Sequence, residues 1–199
     1  GIKINTFTHI LEGYKVATKM AKHGAGGASF SDWWAFKYEV IDAIPYNGPI
    51  LTEAGVTVAY NSDNAEMMRR LNQEAAKAVK YGGLSEHEAW KYVTINPAKL
   101  LRIDDKVGSI AVGKHADLVL WSHNPLSIYA VVEKTIIEGA IFYDYSNLES
   151  KIQQNEKERE LIISQLKDAK KGGAKTQPAP VEDKRYLVCE TIDLVDVNE

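Results

Sequence analysis

Residues 56–63 read VTVAYNSD, an apolar and β-branched run that ends in a short polar turn, and residues 64–83 read NAEMMRRLNQEAAKAVKYGG. The second stretch carries apolar side chains at helical spacing, so the two together predict a strand, an acidic tip and a helix. An α/β barrel presents catalytic residues at the C-terminal end of a strand in this way, which makes Asp63 the first catalytic candidate. The alternative is that Asp63 or Asn64 only caps the helix.

The first half of the chain alternates between strand-like and helix-like patterns. Strands are expected at residues 2–10, 26–30 and 56–60, and helices at residues 12–23, 32–44 and 64–81. This alternation predicts a parallel sheet. Three strand–helix units are too few to close a barrel, which needs eight, and an open sheet of three strands leaves both edges unpaired. We therefore expect part of a larger sheet.

The second half has a different texture. Ser85 and Glu88 have the spacing of a capping box and predict a helix that continues to residue 93. Short β-rich runs at residues 109–112, 116–121 and 135–141 predict a small sheet. Residues 148–171 predict a charged helix, residues 170–180 a linker, and residues 186–197 a last strand.

The composition excludes several classes of function. The 199 residues are 45% hydrophobic and 26% charged, with a net charge of -3, so nothing attracts the chain to nucleic acid or to an anionic membrane. No apolar run approaches the length of a membrane span. Cys189 is the single cysteine, which excludes an intrachain disulfide and a cysteine-based zinc cluster. We expect a soluble protein, cytoplasmic or exported, because a leader on a longer parent would not be visible.

Three separated motifs resemble the C-terminal part of the metal-dependent amidohydrolase superfamily, and in particular its imidazolonepropionase- and prolidase-related enzymes. They are THILEGYKVA at residues 8–17, AYNSDN at residues 59–64, and TINPAKLLRID followed by VGSIAVGKHADLVLW between residues 94 and 121. The third is the most specific. The resemblance covers residues 1–145 and does not extend to the tail.

The resemblance implies an α/β fold, namely the C-terminal portion of a TIM-like (β/α)8 barrel with part of a small β-sandwich domain. Residues 1–103 would form strands six to eight of the barrel, and residues 104–145 part of the sandwich. Residues 146–199 would hold the charged helix, the linker and a C-terminal strand or tail. The N-terminal barrel strands and sandwich strands of the family have no counterpart in this sequence.

The resemblance also implies a site with one or two divalent metals, zinc being the expected ion. His9 matches the metal-binding histidine of the sixth strand, and Asp63 matches the aspartate of the eighth strand, which serves as ligand and base. The family's His-x-His pair, its fourth-strand ligand and its fifth-strand histidine are absent. His115 stands where the family usually has Asp, in a turn far from the chemistry. No other cofactor is expected.

The implied reaction is hydrolysis of a carbon–nitrogen bond, non-peptide in character, as in a cyclic amide or amidine; an Xaa-Pro or other dipeptide is the alternative substrate. A water made acidic by the metal attacks the carbon, and Asp63 carries its proton to the leaving nitrogen. The isolated chain is expected to be inactive. The alternative function is a non-catalytic structural piece that completes a barrel with a partner chain.

Several residue roles stay open at this point. Taken alone, His9 could be an ordinary strand-end histidine. Trp33, Trp34 and Tyr38 could line a substrate pocket or pack on one face of a helix. The expected partners are the missing N-terminal half, a second copy of the chain and a small-molecule substrate, with no nucleic acid and no membrane.

Overall fold

The computed structural model describes residues 1–175 and residue 177. The strand predicted at residues 186–197 lies outside these residues. The chain divides into two compact units, residues 1–148 and residues 149–199, which are described separately.

The first unit contains a three-stranded parallel sheet, which confirms the prediction from the alternating pattern. Its strands are β1 (Thr6–Phe7), β2 (Gly26–Ser29) and β3 (Val58–Tyr60), with β2 in the middle. Thr6 pairs with Gly26, and Gly27 pairs with Val58. A Cβ atom at Gly26 would lie 2.2 Å from a methyl carbon of Leu100 and 3.1 Å from the carbonyl oxygen of Thr57, so the close approach of these neighbours favours a glycine there.

Six helices surround this sheet in the first unit. A short 3-10 turn, Gly13–Val16, leads into the first of them, and Gly24 ends that helix in the left-handed conformation, as its sequence predicts. The core between the helices and the sheet is built on Leu51, Val58 and Tyr92, which are fully buried. The helices are α1 (Ala17–His23), α2 (Asn47–Glu53), α3 (Ala65–Met68), α4 (Leu71–Gly82), α5 (Glu86–Lys91) and α6 (Ile95–Leu101).

The predicted helix at residues 32–44 is wrong. Trp33 and Ala35 have φ angles of 70° and 50°, which no α-helix of L-residues accommodates, and the segment forms turns with one 3-10 turn at Tyr38–Val40. The next helix, α2, begins at Asn47. Pro49 fits in the first turn of that helix because no backbone N–H is needed there. The long helix predicted over residues 64–81 is two helices, α3 and α4.

A second, antiparallel sheet follows in the same unit. It contains β4 (Leu118–Trp121), β5 (Val132–Ile137) and β6 (Ala140–Asp144) in that order. The run at residues 135–141 is a hairpin rather than one strand, because Glu138 and Gly139 have φ angles of 49° and 83° and form a two-residue turn. Residues 109–112, all of them described, form no strand.

The described part of the second unit contains the helix α7 from its second residue onward, and the bounds of this helix, Leu148–Lys171, agree with the prediction. All of its residues are exposed, and charges of both signs are mixed along it. Among the helices within residues 1–175, none is both long enough and apolar enough to cross a bilayer.

Candidate active site

The carboxyl ends of the three parallel strands meet at one edge of the first sheet. Beyond the strands, the backbone N–H of Ile10 donates to the carbonyl of Ala28 at 3.2 Å, and that of Asn61 donates to the carbonyl of Ser29 at 3.0 Å. These bonds hold the three strand ends in register. Residues that follow the strands therefore share this edge, where parallel α/β sheets place their ligands.

His9 and Asp63 meet at this edge. His9 Nε2 and Asp63 Oδ2 lie 2.8 Å apart, although the residues come from different strand ends. Their side chains are 52% and 65% exposed, so the pair faces open space at the edge of the sheet. His9 has a φ angle of 55°, which few residues other than glycine adopt, and its ring packs edge-on against Phe30 with 5.2 Å between the ring centroids. Backbone and ring contact together fix where the imidazole points.

The helix cap next to Asp63 is made by Asn64. Asn64 Oδ1 accepts hydrogen bonds from the backbone N–H groups of Glu66 and Met67 at 2.9 and 3.2 Å. The carboxylate of Asp63 bonds with His9 instead. The capping alternative for Asp63 therefore does not apply, and this carboxylate is available for chemistry.

The His9–Asp63 pair has the donor types of a divalent metal site but not the full number. An imidazole and a carboxylate are both ligands that zinc takes, and a catalytic zinc site uses three protein ligands with a water molecule. Within residues 1–175, no group of three or more His, Cys, Asp or Glu side chains is placed to hold a metal. The pair can supply part of such a site, and the other donors must come from elsewhere.

The aromatic residues predicted to line a substrate pocket lie in the loop after β2. Trp33 packs edge-on against Phe36 at 4.8 Å between ring centroids, Trp34 packs against Tyr81 of α4 at 5.5 Å, and Tyr38 is 86% exposed. The segment is not itself a helix, but Trp34 packs against a residue of one, so packing on a helix face stays open for this side chain. Lining of a substrate pocket stays a prediction.

Two cavities of the first unit lie away from the His9–Asp63 pair. One, of about 200 Å³, is lined by residues such as Asn5, Gly26 and Thr57 at the opposite, amino-terminal edge of the sheet. The other, of about 500 Å³, lies between α4 and residues 124–128. Neither cavity is lined by the aromatic residues of the loop.

Sequence reasoning missed a polar network that joins the loop after β2 to α4. The Ser31 hydroxyl donates to Glu74, and Lys77 Nζ donates to Asp32 Oδ2 and to Glu74 Oε1, both at 2.9 Å. Glu74 is only 5% exposed. The available signal was the helical pattern itself, since Glu74 and Lys77 lie on the stripe of α4 that an amphipathic helix turns inward.

Charge pairing outweighs burial within this network. Burial opposes the charged form of Lys77, but its hydrogen bonds to Glu74 and Asp32 are stronger in effect, so the pKa of Lys77 is raised. Burial, the largest single cause, likewise opposes the charge of Asp32. The hydrogen bond and charge of Lys77, the backbone N–H of Trp33 and the charge of Arg70 together outweigh it and lower the pKa of Asp32. Both groups are therefore charged at neutral pH.

Two relatives are similar to this chain in sequence, one over a long stretch and one over a short stretch. An amidohydrolase named tasK from Hapsidospora irregularis is 35% identical over 118 residues, which cover 59% of this chain and 12% of that protein. An imidazolonepropionase from Shewanella frigidimarina is 60% identical over 38 residues, which cover 19% of this chain and 9% of that protein.

Two solved structures share the fold. An amidohydrolase from Thermotoga maritima superposes with a TM-score of 0.65 at 31% identity, covering 70% of this chain and 37% of the solved one. An adenosine deaminase from Xanthomonas campestris, which contains bound zinc, has a TM-score of 0.55 at 19% identity and covers 76% and 42%. The chain thus spans well under half the length of these proteins.

The sequence profile described as the amidohydrolase family matches residues 48–175, which is more than half of the chain. This match includes Asp63 and the second sheet, and the similarity to an imidazolonepropionase and to a solved amidohydrolase agrees with it. The chain belongs to the amidohydrolase family.

Proposed function

We propose that this chain supplies part of the active site of a metal-dependent hydrolase that cleaves a carbon–nitrogen bond. The observation that carries the proposal is the 2.8 Å contact between His9 and Asp63 at the carboxyl edge of a parallel sheet. The family membership and the names of the relatives support hydrolysis of this bond type. The proposed substrate is a non-peptide compound, a cyclic amide or an amidine, and a dipeptide such as Xaa-Pro is the alternative.

In this proposal His9 and Asp63 hold a divalent cation, zinc being the ion bound in a protein of similar fold. When bound, the cation makes a water molecule acidic enough to react near neutral pH. Asp63 accepts the proton of the attacking water and delivers it to the leaving nitrogen. The 65% exposure of its side chain lets the carboxylate reach both positions.

The proposal also assigns a place in a larger fold. Residues 1–103 would provide strands six to eight of a (β/α)8 barrel, residues 104–145 part of a β-sandwich, and residues 146–199 a separate helix, linker and tail. The partner would be the N-terminal half of the barrel, carried by the same parent or a separate chain, or a second copy of this chain. The unpaired sides of β1 and β3 support this, since each pairs only with β2 among the described residues.

One observation favours a second candidate, a non-catalytic piece that completes a barrel. Within residues 1–175, the possible metal donors come together as a pair and not as a group of three or more. Under this alternative His9 and Asp63 would be a structural hydrogen-bonded pair.

Measurements on the complete parent protein distinguish the two candidate functions. The chain is produced in the context of its complete parent, and zinc content and hydrolysis of cyclic amides, amidines and Xaa-Pro dipeptides are measured. We expect bound zinc and turnover in the parent, with both lost in His9→Ala. Zinc and turnover that persist unchanged in His9→Ala would favour the non-catalytic role of this pair.

A further inference from the structure

We infer that one stripe of α4, formed by Glu74, Lys77 and Tyr81, is a clamp that positions the substrate-facing loop after β2, with Lys77 as its central positioning residue. The inference rests on the proposed function, because it takes the carboxyl edge of the sheet as the place where substrate binds. The loop in question runs from Ser31 to Tyr38.

The contacts between α4 and the loop follow a regular spacing along both segments. Residues 74, 77 and 81 have the i, i+3, i+7 spacing that places side chains on one face of a helix. Glu74 accepts from Ser31, Lys77 bonds with Asp32, and the Tyr81 ring packs at 90° against Trp34. Nearly consecutive residues of the loop are therefore held by successive turns of one helix.

Burial of the charges of Lys77 and Glu74 costs free energy, which argues that the clamp has a positioning role. The Lys77 side chain is 23% exposed and that of Glu74 6%, and buried ion pairs are often no more stabilising than apolar residues of similar volume. What an ion pair adds is direction, since Lys77 Nζ must lie 2.9 Å from oxygens on both the helix and the loop. A core built only for stability would not require these charges.

The loop conformation itself needs support from outside. Trp33 and Ala35 have φ angles of 70° and 50°, which are unfavourable for residues other than glycine, so contacts with the surroundings must offset the cost of this backbone conformation. Asp32 Oδ1 accepts a hydrogen bond from the backbone N–H of Trp33 at 3.0 Å. The residue that bonds with Lys77 therefore also contacts Trp33, the first loop residue with a positive φ angle. Without the clamp, the loop would relax toward ordinary backbone angles.

The loop begins beside the proposed catalytic pair. Phe30, directly before Ser31, contacts the His9 ring, and Ser29 is bonded through its carbonyl to the strand end that leads to Asp63. A shift of the loop therefore changes the wall of the site, while His9 and Asp63 lie outside the loop. The expected effect is on substrate binding more than on the chemical step.

Limited proteolysis of the full chain as it purifies tests the clamp directly. We compare Lys77→Met with Lys91→Met, since Lys91 forms a similar i, i+3 ion pair with Glu88, and both residues of that pair lie on α5. Chymotrypsin cleavage within residues 33–38 should be at least about fivefold faster in Lys77→Met than in Lys91→Met, because local opening exposes the loop. Lys77→Arg, which keeps charge and donors, should restore the wild-type rate.

A second variant protects the test against misfolding. If Lys77→Met fails to fold, Asp32→Ala removes the carboxylate at the loop end and leaves the Lys77–Glu74 pair intact. The Asp32 side chain is half-exposed, so this change is compatible with the fold. Cleavage rates in Asp32→Ala or Lys77→Met equal to that of Lys91→Met would overturn the clamp.

Steady-state kinetics of the complete parent complete the test. Lys77→Met and Asp32→Ala should raise KM about tenfold and change kcat much less, as expected when binding and not chemistry is weakened. An unchanged KM in an active parent would overturn the positioning role. A wild-type parent with no hydrolase activity would contradict the proposed function, while the proteolysis result would still decide whether the clamp holds the loop.

Discussion

Asp63 and Asn64 are neighbours in the chain and have separate tasks. Asn64 caps α3 through two backbone N–H groups, and Asp63 reaches across the strand ends to His9. The cap is therefore independent of the proposed base. This division makes the chemistry testable without disturbing the helix.

In the complete enzyme, Asp63→Asn is expected to leave the fold intact and to remove nearly all turnover. The amide cannot accept the proton of water, and general base catalysis is typically worth about 10²–10⁴ in rate. The measurement is kcat, with circular dichroism as the check on folding. Activity within about tenfold of wild type, which is ~1.4 kcal/mol or less, would show that Asp63 is not the base.

Asn64→Ala is the matched control at the adjacent position. It removes the cap of α3 and should lower the free energy of unfolding by about 1 kcal/mol. Because the side chain of Asn64 does not contact His9 or Asp63 in the hydrogen bonds of the cap, turnover should persist.

Zinc affinity is the second prediction at the scale of residues. Since His9 and Asp63 provide two donors and a zinc site needs about four ligands, the isolated 199-residue chain should bind zinc weakly or not at all. Equilibrium dialysis with zinc would measure this. Tight, stoichiometric zinc that His9→Ala abolishes would contradict an incomplete site.

At the scale of elements, periodicity predicted some elements well and others poorly. The strand before Asp63 and the helix α7 follow directly from their patterns, and Gly24 ends α1 as predicted. The segment DWWAFKYEVIDAI has helical spacing but forms turns, and its first residue, Asp32, bonds with Lys77, which lies 45 residues away along the chain. This is a tertiary contact, so the local sequence pattern could not predict it.

The Asp32–Lys77 ion pair gives the loop a defined response to pH. The pKa of Asp32 is lowered, so its stabilisation is present above its ordinary value of 3.8 and is lost as pH falls through the lower folded value. The pKa of Lys77 is raised, so its stabilisation is present below 10.5 and is lost as pH rises through the higher folded value. Arg70 also faces Asp32, and Glu74 faces Lys77; both favour the charged pair.

We therefore expect the fluorescence of Trp34, taken as the difference between the chain and its Trp34→Phe variant, to stay constant between about pH 5 and pH 9. It should change only as the pH falls below the ordinary value of 3.8, through the lowered pKa of Asp32. Asp32→Ala should lack this acid step. A step of the same size in Asp32→Ala would assign the change to another group.

At the scale of the whole molecule, the sequence predicted which residues meet but not how they are held. The motifs that contain His9 and Asp63 placed both at strand ends, and the structure brings them together. Their roles as metal ligands and base stay predictions. The network of Ser31, Glu74 and Lys77 could not be predicted, because it depends on how far α4 lies from a loop of irregular backbone.

Assembly is the prediction that belongs to this scale. Within the described residues, β1 and β3 pair on one side only, and the second sheet exposes apolar residues such as Leu120, Ile141 and Phe142. The chain should therefore associate with the N-terminal half of the proposed barrel or with a second copy. Sedimentation of the purified chain measures this, and a monodisperse monomer with a cooperative melting transition would contradict the prediction.

The two sheets also differ in how far apart their paired residues lie along the chain. Ile137 pairs with Ala140 across the turn at Glu138 and Gly139, whereas Thr6 pairs with Gly26 and Gly27 with Val58. A hairpin closes in about 1–10 μs, while distant parallel pairings must first close long loops and form later. Refolding should thus show two phases, with Gly139→Ala slowing only the fast one; a single phase would mean that both sheets form together. A growing polypeptide with this order would leave the strands of its parallel sheet unpaired for longest, and His9 and Asp63 follow two of these strands.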